Sequence, residues 1–138
     1  MSGWLLNGKP FKPEQAEEFV GFVYLITNLM SGKKYIGKKL FQFSRSKKIK
    51  GSSRRKHTKI VSDWETYYGS NRYLNEDVDE HGSENFKREI IRLCKTKAEC
   101  NYYEAKEQFE TDAILRDDYY NSQIMVRVHR NHNSSKWR

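Results

Sequence analysis

The apolar positions of this chain change period several times, and each change marks an element. "GFVYLIT", from Gly21 to Thr27, is an almost unbroken run of β-formers and predicts a buried strand. "NLMSGK" follows, with Asn28, Ser31 and Gly32 supplying turn chemistry, and "KYIG" predicts a second strand that closes a hairpin. "NFKREIIRLC", residues 85–94, predicts a third strand. The strongest helical pattern is "TKAECNYYEAKEQFETDAIL". Thr96 and Glu99 there form a capping box, and Ala98, Tyr102, Ala105, Phe109 and Ala113 step by three or four along one apolar stripe. Glu104 and Glu107 share a face off that stripe. Shorter helices are predicted from Pro13 and over "NRYLNEDVDEHG", where Leu74 and Val78 are four apart and Gly82 is the stop. Ser62 and Asp63 are candidate caps for "SDWETYYGSN", and "IMVRV" reads as a short final strand or an extended arm. No internal repeat interrupts this order. One α+β domain is the expectation for 138 residues.

Charge sharpens the picture. The net charge is +8, yet it is not spread along the chain. Between Glu18 and Asp63 there is no acidic residue and there are twelve Lys and Arg; the remaining fourteen basic residues face eighteen acidic ones. The whole positive excess therefore sits in one segment, as a phosphate-binding surface requires. Nucleic acid is the first partner this suggests and an anionic membrane surface the second. "SRSKKIKGSSRRKHTK" within it has so little apolar content that it reads as a solvated loop able to order on DNA. A second acid-free basic stretch, "VRVHRNHNSSKWR", closes the chain; its Trp137 would stack on a base or cover apolar surface. His129 and His132 in it are three apart, but phosphate contact is the reading preferred over metal ligation.

No apolar run approaches the roughly 20 residues of a membrane helix, and the N-terminus has no signal-peptide pattern. Cys94 and Cys100, the only cysteines, lack CxxC spacing and read as small buried hydrophobes in a cytoplasmic protein. Trp64 and Phe86 are expected in the core.

The order of two strand tyrosines, a basic segment, a helical glutamate and a later asparagine resembles the GIY-YIG nuclease family. The first signature is Phe22-Val23-Tyr24, with Gly21 one place early; the second, Tyr35-Ile36-Gly37, is intact. The basic insertion, "SDWETYYGSN", "ENFKREI" and "NYYEAKEQFE" are most similar to the free-standing Seg-type phage homing endonucleases. The resemblance runs over residues 21–122. It leaves residues 1–20 as an N-terminal extension, a basic insertion at about 40–60 and residues 123–138 as a basic tail.

That resemblance implies a small three-stranded, mainly antiparallel sheet flanked by helices. It also implies metal-dependent hydrolysis of phosphodiesters in double-stranded DNA, with Mg²⁺ or Mn²⁺. Tyr24 matches the tyrosine that activates water and Tyr35 the one that shapes the water and phosphate site. Arg45, eight residues beyond Gly37, matches the phosphate-holding arginine; Ile49 stands where the family has a His or Tyr four residues on, and the insertion offers Arg54 or Arg55 and His57 as alternatives for those two roles. Glu104 matches the metal ligand, with Glu107 as its rival, and Asn121 the late asparagine.

The chemistry is coherent on its own terms. Magnesium keeps several waters and takes one or two protein carboxylates. The arginine fork suits phosphate oxygens. A tyrosine with an ordinary pKa of about 10 is a poor base unless a nearby cation or metal-bound water lowers it, and Lys38 is a candidate. Lys38, Lys39, Lys47, Lys48, Arg54, Arg55 and Lys56 form the expected DNA surface. A double-strand break would need two active sites, as in a homodimer, or two sequential nicks.

Overall fold

The structure, a computed structural model, describes residues 3–130 and 134–137. His132 and Arg138 of the basic tail lie outside the described residues. In chain order the strands are β1 (Trp4–Leu6), β2 (Lys9–Pro10), β3 (Gly21–Asn28), β4 (Lys34–Leu40), β5 (Gln42–Lys48), β6 (Arg55–Val61) and β7 (Phe86–Cys94). The helices are α1 (Arg72–His81), between β6 and β7, and α2 (Lys97–Glu110), after β7.

Five strands form one sheet in the order β2-β1-β7-β3-β4, and β5 and β6 form a separate two-stranded ribbon. The three strands expected from the sequence are the antiparallel centre, β7-β3-β4. The sheet is wider than three strands because the N-terminal segment joins it. Trp4–Leu6 runs parallel to Arg88–Ile90, and β2 folds back on β1. Burial explains the extension. Trp4 is wholly buried, packs edge-on against Phe22, and donates its indole N–H to the Trp64 carbonyl at 2.8 Å.

The two sheet faces carry different cores. Phe22, Tyr24 and Ile26 of β3 point to one side, where they meet Trp4, Phe11, Phe41, Trp64, Phe86 and, from α1, Leu74. Val23 and Ile36 point to the other, against Cys94, Cys100 and Ala113. So α1 and α2 lie on opposite faces, in agreement with a sheet flanked by helices. Both cysteines are buried and free, Trp64 and Phe86 are core residues, and Trp137 is buried beside Tyr102.

Several expectations are corrected. Pro13–Ala16 is a 3-10 turn, "SDWETYYGSN" forms only a 3-10 turn at Trp64–Thr66, and of the two readings for Ile124–Val128 the strand is not formed. The basic segment is a regular ribbon from Gln42↔Val61 to Lys48↔Arg55, turning near Gly51. The apolar stripe expected on α2 is buried only in part: Ala105 and Ala113 are core residues, but Phe109 is 61% and Tyr102 42% exposed. The buried positions of the helix are Glu99, Cys100, Ala105 and Gln108, with Glu104 half-buried among them. Counting apolar residues found only part of this face because Glu99, Glu104 and Gln108 on it are polar.

Candidate active site

The hairpin β3–β4 sets the site. Tyr24 pairs with Gly37 and Tyr35 with Ile26, so the two phenols stand on the same face with ring centroids 6.2 Å apart. A β-bulge at Val23/Tyr24 leaves Ile91 of β7 unpaired beside Tyr24. Tyr24 is almost wholly buried. Burial first, then Tyr67, Tyr35 and Glu104, holds its phenol well above the ordinary tyrosine range. Among the described residues no cation offsets this. The Lys38 ammonium instead bonds Asn101 Oδ1 at 2.6 Å and lies 3.8 Å from Glu104 Oε1. Tyr35 reaches further out, and its hydroxyl pairs with Ser70 Oγ at 3.2 Å. Burial raises its pKa too, partly opposed by that bond.

The outer edge of β4 is closed by the chain around Asn121. Lys34 N–H donates to the Asp118 carbonyl at 2.9 Å, and Tyr120 N–H donates to the Lys34 carbonyl at 2.7 Å. The next rung is made by a side chain. Asn121 Oδ1 accepts from Ile36 N–H at 3.0 Å, and its Nδ2 donates to the Ile36 carbonyl at 2.8 Å. The carboxamide thus stands in for a peptide unit. Asn71, the N-cap of α1, accepts from Leu74 N–H and donates to the Tyr120 carbonyl, which ties the helix start to the same edge.

Beyond that rung lies a cleft of about 470 Å³. Tyr35, Lys38, Ser70, Arg72, Glu104 and Gln108 line it, with Asn121 at its floor. Glu104 has a side chain only 15% exposed; burial raises its pKa, and Lys38 partly opposes the rise. Glu107 faces a different hollow, beside Val23, Arg92 and Lys106. Gln108, one turn after Glu104, is buried, and among the described residues its Oε1 has no hydrogen-bond partner. A half-buried carboxylate beside an orphaned amide oxygen is the donor set a hard divalent cation takes. A second group of potential ligands, Asp77, Glu80 and His81 on α1, lies outside the cleft, and Asp77 already accepts the Tyr120 hydroxyl at 2.6 Å.

The sequence-predicted residues therefore divide. Tyr35, Lys38, Glu104 and Asn121 converge on the cleft, with Tyr24 packed behind Tyr35. Arg45 and His57 do not reach it: they sit on the exposed ribbon, opposite Thr58 and Ser46. Lys47, Lys48, Arg55 and Lys56 lie on the same ribbon and Arg54 just before β6, while Lys39 is engaged by Asp63 at 2.7 Å and by the Tyr67 ring. The arginine that does line the cleft is Arg72, in the first turn of α1 and paired with Glu76. Counting eight residues from Gly37 leads onto the ribbon because Gln42–Val61 leaves the five-stranded sheet and returns. The alternation of "FSRSKK" and "RKHTKIV" around Gly51 was the available signal.

A family model described as "Putative endonuclease segE, GIY-YIG domain" matches residues 4–124. A protein of Enterobacteria phage T4, named "Putative endonuclease segE", is 33% identical over 100 residues, which cover 72% of this chain and 39% of the relative. The matched region thus spans about two fifths of that relative's length. No solved structure matches. With both tyrosine signatures on one hairpin and the match running through almost the whole chain, this protein belongs to the SegE-type GIY-YIG family.

Proposed function

We propose that this chain is a metal-dependent DNA endonuclease of the phage homing type, working in the cytoplasm of a bacterial host. The observation that carries the reading is the convergence of Tyr35, Arg72 and Glu104 on one cleft beside β4. The printed name of the phage T4 relative, an endonuclease, supports the same reaction class.

Glu104 and the orphaned Gln108 oxygen are the groups that would hold Mg²⁺ or Mn²⁺. When bound, such an ion supplies charge relief on the phosphate and an acidified water. Arg72, its side chain 81% exposed, is free to leave Glu76 and grip a phosphate with its planar fork. Lys38 keeps Glu104 ionised against the pull of burial and holds it in place. The Tyr35 hydroxyl, open to the cleft, positions the attacking water. Tyr24 stays neutral and serves as a hydrogen-bonding relay behind it. Asn121 fixes the strand that carries Tyr35.

Supercoiled plasmid incubated with the protein in Mg²⁺ or Mn²⁺, beside Glu104→Ala and Glu107→Ala, tests this. Nicking or linearisation by wild type and Glu107→Ala, with loss in Glu104→Ala and on chelation, is expected. No cleavage with either metal would overturn the reading. Loss only in Glu107→Ala would move the ligand to the other face of α2. Whether two copies act together follows from the product: nicks before linear DNA for sequential cutting, linear DNA directly for a dimer.

A further inference from the structure

The ribbon β5–β6 has an unusual distribution of charge between its two faces. Directly opposed residues of an antiparallel pair share a face. Phe43/Ile60, Arg45/Thr58 and Lys47/Lys56 therefore make one face, and Ser44/Lys59, Ser46/His57 and Lys48/Arg55 the other. Each face carries three cations: Arg45, Lys47 and Lys56 on the first, Lys48, Arg55 and Lys59 on the second. All six are exposed. Among the described residues no carboxylate forms an ion pair with any of them.

Neither face is built to lie on protein. A ribbon packed on a core has an apolar face, and one laid flat on DNA needs a single basic face. Here two successive rungs, Lys47/Lys56 and Lys48/Arg55, place like charges directly opposite each other, which is destabilising in an isolated pair of strands. That arrangement becomes favourable only where negative charge stands on both sides. The major groove of duplex DNA offers it: a channel about 12 Å wide between two phosphate walls, which admits a two-stranded β-ribbon. Seven residues of strand reach roughly 24 Å, enough to follow the groove over several base pairs.

We propose that β5–β6 enters the major groove of duplex DNA edge-on, with one face toward each phosphate strand. This rests on the reading that the chain acts on DNA. It names the substrate as B-form duplex rather than single strands or A-form RNA, whose major groove is too deep and narrow for such an insertion.

The test measures binding rather than cleavage. Glu104→Ala protein is titrated with a fluorescein-labelled DNA duplex of arbitrary sequence over a range of salt. One variant has Arg45, Lys47 and Lys56 changed to Gln, and a second has Lys48, Arg55 and Lys59 changed to Gln. Each should lower the slope of log K against log salt by about 2–3. Adding a cation on the first face, Thr58→Lys, should steepen it by about 0.9, an effect that loss of folding cannot mimic. Methyl green, a major-groove ligand, should displace the protein, and the minor-groove ligand netropsin should not. An RNA duplex of the same sequence should compete poorly.

Wild-type slopes in either face's variant would mean a ribbon lying flat or unused, and would overturn the proposal. Displacement by netropsin but not by methyl green would do the same, as would equal competition by the RNA duplex. A protein that passes these tests but never cuts plasmid retires the endonuclease reading and leaves this one standing.

Discussion

Gly37 lies directly against the Tyr24 phenol across the β3–β4 pair. A Cβ at position 37 would overlap the phenol's hydroxyl and ring. The glycine of the second signature is thus required by the tyrosine of the first, and not by a turn or a positive φ.

Gly37→Ala should destabilise the fold by about 1–3 kcal/mol through overpacking. The loss should shrink in a Tyr24→Phe background, where the overlapping hydroxyl is gone. Urea unfolding of the four proteins of this cycle measures the coupling. Equal losses in both backgrounds would place the clash elsewhere.

Arg72 and Arg45 should separate by what they impair. Arg72→Ala should lower the cleavage rate by about 100-fold or more, because phosphate stabilisation in the cleft is lost. Its duplex affinity should stay close to wild type. Arg45→Ala should do the reverse, with weaker binding, a salt slope lower by about 0.9, and near-normal cleavage at saturating protein. Single-turnover cleavage and fluorescence anisotropy on the same duplex distinguish them.

Glu104 sits where its charge opposes folding. Its pKa is raised in the folded protein, so the native state holds the proton more tightly than the unfolded chain. The stability it contributes is present below the unfolded value, about 4.5, and is lost as pH rises through the folded one. At pH 8 the ionised carboxylate is therefore a burden on stability, and Glu104→Gln should melt about 1–3 °C higher while losing cleavage. A lower melting temperature for Glu104→Gln would show that the pairing with Lys38 outweighs burial.

Lys38 pulls the Glu104 pKa down against burial. Lys38→Met removes that pull, so the carboxylate protonates at higher pH. The acid limb of the pH–rate profile should move to higher pH, with the alkaline limb unchanged. An unshifted acid limb would mean that Lys38 does not act through Glu104.

Asn121→Ala strips Ile36 of a partner for both its N–H and its carbonyl. Chemical denaturation should give a loss of about 2–4 kcal/mol. Asn121→Asp keeps the acceptor for Ile36 N–H but sets a carboxylate oxygen against the Ile36 carbonyl. It should be at least as destabilising as Ala above the carboxylate pKa and should recover partly in acid.

Local sequence determined much of this protein. The hairpin carrying Tyr24 and Tyr35, the third strand, the cap at Thr96, and the acid-free basic run follow from β-propensity, turn and capping residues, and charge. These signals act over a few positions. What needed the tertiary structure was anything that joins distant segments. Trp4 widens the sheet only because Phe22 and Trp64 offer it a buried slot. The inward face of α2 carries Glu104 and Gln108, so hydrophobic periodicity marked Ala105 and Ala113 but also Tyr102 and Phe109, which are exposed. Arg72 replaces Arg45 in the cleft because a ribbon leaves the five-stranded sheet at Gln42 and returns at Val61, and spacing along a chain says nothing of where an excursion closes. Asn121 reads as one polar residue in a loop until its carboxamide is seen completing the edge of β4, 85 positions away from Ile36.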